Sequence, residues 1–295
     1  MNNTDIKATI VQLSCTDDTS ANKQQISSNI EQAAHMGAEL VVLPELHNSL
    51  YFPQNENPQN FELAESIPGP TTEQLSELAR DLDIVIVSSI FEKRAPGLFH
   101  NTAVVIERDG SIAGTYRKMH IPDDPGYYEK YYFTPGDLGF KPINTSVGKL
   151  GVLICWDQWF PEAARLMALN GADILIYPTA IGWDPADDNA TANQQLDAWR
   201  TIQRAHAIAN GLPVIVANRC GLEIDETKQT DGIHFWGHSF ICGTQGEMLA
   251  HVKDHPAIFS TTISLAHIEK TRQTWPFLRD RRVDSYGEIT QLYLE

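Results

Sequence analysis

The sequence predicts an α/β chain, an α+β mixture of parallel and hairpin strands whose sheets carry helices on their faces. Three observations predict it. Short apolar, β-branched runs recur from end to end, and stretches with apolar residues at helical spacing lie between many of them. Asp-Gly and Gln-Gly turn signals also join neighbouring runs into antiparallel ribbons.

Residues 9–13 read as a strand, and 22–36 as a helix with Ile26, Ile30, Ala33 and Ala34 on one face and Gly37 at its stop. Residues 40–43 are a short apolar run ending at Pro44-Glu45. A second helix over 71–82 carries Leu75, Leu78, Ala79 and Leu82, and leads into the β-branched run 84–87. Residues 102–107 and 111–117 flank Asp109-Gly110, a hairpin signal. Residues 149–154 form a buried-type strand, 160–170 a helix stopped by Gly171, and 174–177 another strand. A long helix over 192–210 stops at Gly211, before the strand 214–217. Residues 237–252 read as a second hairpin turning near Thr244-Gln245-Gly246, followed by a strand at 257–263. No linker or repeat interrupts this rhythm, so residues 1–295 are expected to form a single domain. From about residue 268 to 295 a polar tail with Trp275, Phe277 and Tyr286 is expected to dock on the surface or exchange between subunits.

The 295 residues carry 22 Lys and Arg against 38 Asp and Glu, a net charge of −16. No basic stripe exists to release counterions from a phosphate backbone, so a nucleic-acid partner is not expected. No apolar run approaches membrane-spanning length, and the N-terminus lacks a basic region followed by an apolar core. Neither a membrane partner nor a signal peptide is therefore expected. Cys15, Cys155, Cys220 and Cys242 stand far apart, without the spacing of a zinc site or a disulfide framework. A reduced, cytoplasmic protein without metal or organic cofactor is the expectation.

Three reactive side chains close strands or ribbons: Glu45 after residues 39–44, Lys118 after 114–117, and Cys155 after 151–154. Strand ends aim side chains into the space that loops leave open, which is where α/β proteins place ligands. Alone, a cysteine after an apolar strand is usually a core residue. Together, the three side chains supply a nucleophile, a carboxylate to take its proton, and an ammonium to stabilise a thiolate and then an oxyanion. A Cys–His hydrolase using His120, His206 or His238 is the competing arrangement.

The segments Val42-Leu43-Pro44-Glu45, Tyr116-Arg117-Lys118-Met119-His120 and Gly151-Val152-Leu153-Ile154-Cys155-Trp156-Asp157 resemble, in order and spacing, the three signature blocks of the nitrilase (carbon–nitrogen hydrolase) superfamily. The resemblance runs from Ala8 to about Thr262. It implies a four-layer α-β-β-α sandwich of the nitrilase type, with Cys155 as nucleophile, Glu45 as general base and acid, and Lys118 as the cationic stabiliser. It also implies the Trp156 amide as second oxyanion donor and Glu129 as the additional glutamate beside the lysine. Homo-oligomers joined through helices and C-terminal tails are expected on the same ground.

The loop 118–137, Phe140-Lys141-Pro142 and the tail segment 275–282 are similar to the branch of that superfamily that hydrolyses N-carbamoylputrescine, a urea carried on a four-carbon amine. Such a small-molecule, amine-bearing substrate needs apolar or aromatic walls and an anionic far end. Candidate substrate contacts are Trp156, Tyr51, His120, Tyr127, Trp183 and Asp187, with Asp123, Asp124, Asp184 and Asp188 as further ammonium partners. Trp183 and Asp184 depart from the Ser-Glu-like pair frequent in that branch. Other carbamoyl amino-acid, β-ureidopropionate or ω-amide hydrolysis, and a catalytically silent binding subunit, stand as alternatives.

Overall fold

A computed structural model describes residues 5–184, 186–225, 227 and 231–295. The first half comprises β1 (Asp5–Gln12), α1 (Thr19–His35), β2 (Leu40–Val42), α2 (Pro70–Leu82), β3 (Val85–Ala95), β4 (Leu98–Ile106), β5 (Ile112–Arg117) and the short α3 (Glu129–Tyr132). There follow β6 (Ile143–Thr145), β7 (Gly148–Val152), α4 (Pro161–Leu169), β8 (Ile174–Thr179), β9 (Gly182–Trp183), α5 (Asn189–Asn210) and β10 (Val214–Asn218). The chain then forms β11 (Cys220–Glu223), β12 (Ile233–Trp236), β13 (Phe240–Cys242), β14 (Met248–His251), β15 (Ala257–Ser264) and α6 (Leu265–Thr274).

Two six-stranded sheets, ordered β15-β1-β2-β3-β4-β5 and β14-β13-β10-β8-β7-β6, form the middle layers. Pairings β1–β2, β2–β3, β7–β8 and β8–β10 are parallel, while the outer pairings are antiparallel. Alternation along each strand decides which layer a side chain enters. Ala8, Ile10, Val85, Val87, Ala103 and Val105 pack toward Leu150, Val152 and Ile176 of the second sheet. Their neighbours Val41, Ile86, Val104 and Ile106 pack instead with Ile26, Ile30, Leu75 and Ala79 of α1 and α2. Helices α4 and α5 cover the other outer face through Ala163, Met167, Trp199 and Ala207. The result is the expected α-β-β-α sandwich. Each Val, Leu, Ile or Met side chain among them, fully buried, contributes about 1.5–3 kcal/mol.

Caps set the helix boundaries. Asp18 accepts from the N–H groups of Ser20 and Ala21 at the start of α1, and Asp188 from Thr191 at the start of α5. The Asp188 cap places the start of α5 three residues before the apolar spacing announces it, and Asp188 is thereby a helix cap rather than an ammonium partner. Gly211, at φ +58°, ends α5 in the left-handed region. Among the described residues, no helix is long and apolar enough to cross a membrane.

His47 and His206 are two of the histidines buried within this frame. His47 bonds Ser88 Oγ through Nε2 at 2.7 Å, and His206 Nδ1 lies 3.0 Å from the Tyr177 hydroxyl. Burial, joined for His47 by the Arg219 charge, lowers their pKa values to about 3 for His47 and about 4 for His206. In the unfolded chain both rings bind a proton near pH 6.5, so between pH 6.5 and 4 the unfolded state holds more protons. Their stabilising contribution is therefore present above pH 6.5 and lost as pH falls toward 4. The unfolding free energy from urea titrations should fall across that interval, by roughly 3 kcal/mol for His206 alone. A folded His206→Gln variant should show a shallower decline.

Candidate active site

Strands β2, β5, β7, β8 and β10 end at one edge of the sandwich, and the residues just beyond those ends build a single buried centre. Glu45 follows β2, Lys118 follows β5, and Cys155 lies shortly after β7. Glu45, Lys118 and Glu129 are completely buried. Lys118 Nζ donates to Glu45 Oε1 at 2.8 Å and to Glu129 Oε2 at 2.6 Å. Asn101, on β4, donates from Nδ2 to the same Glu45 Oε1 at 2.6 Å, and its carbonyl accepts the Lys118 N–H at 2.9 Å. Tyr51 completes the cluster by donating its hydroxyl to Glu129 Oε1 at 2.6 Å. Among the described residues Glu45 Oε2 has no hydrogen-bond partner, so one oxygen of this carboxylate is uncommitted.

Cys155 adopts φ +40°, a left-handed conformation rare for a residue with a side chain. Such strain costs on the order of 1–3 kcal/mol and requires support from the surroundings. Asp157 provides it. Its carboxylate accepts from Ile154 N at 2.9 Å and the Tyr116 hydroxyl at 2.8 Å on one oxygen, and from His120 N at 3.0 Å and His120 Nδ1 at 2.6 Å on the other. One carboxylate thus braces both the cysteine turn and the segment following Lys118. Cys155 Sγ lies 3.6 Å from Ala180 O, and Gln158 Nε2 reaches it at 3.9 Å. Trp156 is the second residue of the tight helical turn Cys155–Trp159, where N–H groups lack partners within the turn. Its N–H can therefore serve an oxyanion.

Electrostatics define the resting state. Burial and the Glu45 charge push the Cys155 thiol up, against the lowering effect of Lys118. Burial favours neutral Lys118, but two carboxylates in contact outweigh it and raise its pKa. Burial, with repulsion from Glu45, raises Glu129 against the pull of Lys118. The cluster therefore holds an ammonium, and the thiol is protonated at rest. A thiolate here would have to be generated by proton transfer, for which the adjacent carboxylates are placed.

Cys155 opens onto a cavity of about 380 Å³ walled by Trp156, Tyr127, Trp159 and Trp236, with Asp124, Asp184, Asp187 and Gln195 also lining it. No Lys, Arg or His side chain contributes to that lining among the described residues. Gly182 takes part because backbone must pass close by: a Cβ there would lie 2.4 Å from His234 O. Its N–H donates to the Tyr127 hydroxyl at 3.0 Å.

Trp156, Tyr127 and Asp187 thus line the cavity as the sequence suggests, whereas three other expected contacts do not. His120 is stacked on Phe160, centroids 3.8 Å apart, and bonded to Asp157. Tyr51 is buried behind the cavity wall, where Glu129 holds it. Trp183 packs on Trp236 and donates its indole N–H to Ala192 O at 3.1 Å. Asp123 is likewise absent from the lining. The Cys–His alternative also fails on geometry, since His206 faces Tyr177, His238 pairs with Arg200 and His120 with Asp157. Asn101, Gln158 and Trp236 were not legible as site residues. Their only signal is a polar or aromatic residue within or beside an apolar segment, and many core residues share it. Among the described residues no His, Cys, Asp and Glu side chains are grouped as metal ligands would be.

A family model described as Carbon-nitrogen hydrolase matches residues 7–273. A protein from Solanum lycopersicum named N-carbamoylputrescine amidase is 44% identical, covering 96% of this chain and 94% of its own. A Francisella tularensis protein named citrullinase is 42% identical over 98% of this chain and 99% of its own. The crystal structure of a carbon–nitrogen hydrolase from Helicobacter pylori G27 superimposes with a TM-score of 0.96 at 52% identity, covering 98% of this chain and 100% of that one.

Proposed function

The chain belongs to the carbon–nitrogen hydrolase family, and we propose that it hydrolyses N-carbamoylputrescine to putrescine, ammonia and carbon dioxide. The observation that carries the substrate is the cavity itself: a buried thiol at one end, aromatic walls, and three aspartates with no opposing cation in the described lining. A urea fits the thiol end, methylenes fit the aromatic walls, and an ammonium fits the acidic rim.

In the mechanism, Glu45 takes the Cys155 proton as sulfur attacks the carbamoyl carbon. Lys118 and the Trp156 N–H stabilise the oxyanion. Glu45 returns the proton to the departing nitrogen, then removes one from water as the hydroxide attacks the thiol-bound carbonyl and sulfur leaves. If the diamine departs first, the carbamic acid released breaks down to ammonia and carbon dioxide. If ammonia departs first, the N-carboxyamine releases the diamine and carbon dioxide, so both orders give the same products. Glu129 and Tyr51 keep the ammonium charged and in place. We extend the proposal to a cytoplasmic homo-oligomer, supported by free buried cysteines and by a tail whose Trp275, Val283 and Ile289 are exposed in the single chain.

The test is ammonia release from N-carbamoylputrescine, citrulline, N-carbamoyl-β-alanine and a simple amide. A ureido amino acid brings a carboxylate to the acidic rim, so the amine substrate should have the highest kcat/KM. Preference for citrulline or N-carbamoyl-β-alanine would reject this reading. Charge-assisted bonds contribute about 1.5–3 kcal/mol. Asp187→Asn together with Asp184→Asn should accordingly raise KM for the amine roughly ten- to hundredfold and leave kcat nearly unchanged.

A further inference from the structure

Glu45 is attached to a loop that would not hold itself. Leu46 stands at φ +50°, and the carbonyls of Glu45, Leu46 and Ser49 turn inward away from water. All three are taken by one side chain. Arg219, fully buried and next after the last residue of β10, donates from Nη1 to Glu45 O at 3.1 Å and to Leu46 O at 3.0 Å, and from Nη2 to Ser49 O. Its Nε and Nη2 also grip Glu223 at 2.9 and 3.0 Å, and Phe235 lies beneath the guanidinium, 5.4 Å from the ring centre. Glu223 Oε2 in turn accepts the Tyr51 N–H at 2.7 Å. The loop that begins with Glu45 and ends with Tyr51 is therefore held at both ends by one ion pair, and each end carries a side chain that meets the Lys118–Glu129 cluster.

We infer that Arg219 and Glu223 are positioning residues for the hydrolysis, fixing the 45–51 loop so that the Glu45 carboxylate stays beside Lys118 and Cys155 while Tyr51 stays on Glu129. A planar fork with several donors is required to serve three carbonyls and a carboxylate together, which an ammonium does not replace. The root of the fork is fixed as well, since Asn218 bonds both Ile181 N and Ile181 O at 3.0 Å and accepts the Arg219 N–H at 2.9 Å. This rests on Glu45 being the base, although not on the identity of the substrate.

Full-length Arg219→Lys and Glu223→Gln are compared with the parent for melting, for kcat and KM, and for the rate at which iodoacetamide alkylates Cys155 across a neutral-to-alkaline pH series. Small misplacements of a catalytic group cost rate rather than affinity. Folded Arg219→Lys should lose kcat by roughly tenfold or more with KM changed by less than about twofold, and its alkylation should slow at neutral pH, where a misplaced Glu45 no longer takes the thiol proton. Adding Arg219→Lys to Glu45→Gln should slow alkylation no further, because both act through the same carboxylate. Parent-like kcat and alkylation in a folded variant would overturn the inference, as would an effect on KM alone or additive losses in the double variant. Should Arg219→Lys not fold, Glu223→Gln answers the same questions. If neither folds, the pair belongs to stability and the inference falls. Alkylation behaving as stated while N-carbamoylputrescine is not turned over would reject only the substrate.

Discussion

Replacing Cys155 by serine is expected to lower ammonia release by at least about 10³-fold, the scale seen when a hydrolase loses a member of its catalytic group. The reason lies in the resting state of the centre. Even the thiol is held protonated by burial and by two neighbouring carboxylates, with Lys118 opposing them. A hydroxyl begins with a far higher pKa, in the same low-dielectric surroundings, so Glu45 has too little driving force to remove its proton. Nothing in the packing forbids the change. Serine is the smaller residue, and Ala180 O and the Gln158 amide remain available to it. The melting transition should stay close to the parent's while turnover vanishes. Substantial turnover in a folded Cys155→Ser protein would remove sulfur from the mechanism.

What could be seen in the sequence follows from which signals are local. Glu45 and Cys155 each close an apolar run and Lys118 closes a hairpin ribbon, so their placement at strand ends was legible, and the three motif blocks suggested the roles proposed for them. Strand β3 was legible only over its first residues. It continues to Ala95 through Ser88, Ser89 and Glu92, buried polar residues whose partners His47, Asn101 and Thr102 lie elsewhere in the chain. Burial of that kind depends on a long-range bond and leaves no periodic trace. The small sheet of β11, β12 and β9 was missed for the same reason, although it contributes Gly182 and Trp236 to the cavity. Its strands are short, and two of them meet across a long sequence separation. Substrate contacts were the least legible. Tyr51, His120 and Trp183 are residue types that suit a ligand wall, but their orientation was decided by Glu129, Asp157 and Trp236, none adjacent to them in sequence. Arg219 gave no signal, because a lone arginine after a strand reads as a solvated charge until three inward carbonyls are seen to need it.

Lys118→Ala is expected to damage rate and stability together, and the coupling separates a catalytic ammonium from a binding one. Removing the side chain leaves Glu45 and Glu129 facing each other, both fully buried, with their shared cation gone. Breaking a buried pair by deleting one partner costs about 3–5 kcal/mol. Part of that is relieved if one carboxyl takes up a proton, since like charges at short range favour a shared proton. The proton so held sits on, or beside, the carboxylate proposed as the base for Cys155. Loss of Lys118 also removes the group that lowers the Cys155 pKa, so alkylation by iodoacetamide should shift to more alkaline pH. An oxyanion contact is worth about 10²-fold or more in kcat, and that loss should appear in turnover with little change in KM. A second substitution tests the electrostatic account directly: Glu129→Gln in the Lys118→Ala background deletes one of the repelling charges and should recover part of the lost stability, but not the lost kcat. Were the effect of Lys118→Ala confined to KM, the ammonium would be a substrate anchor and its proposed role toward the oxyanion would fall.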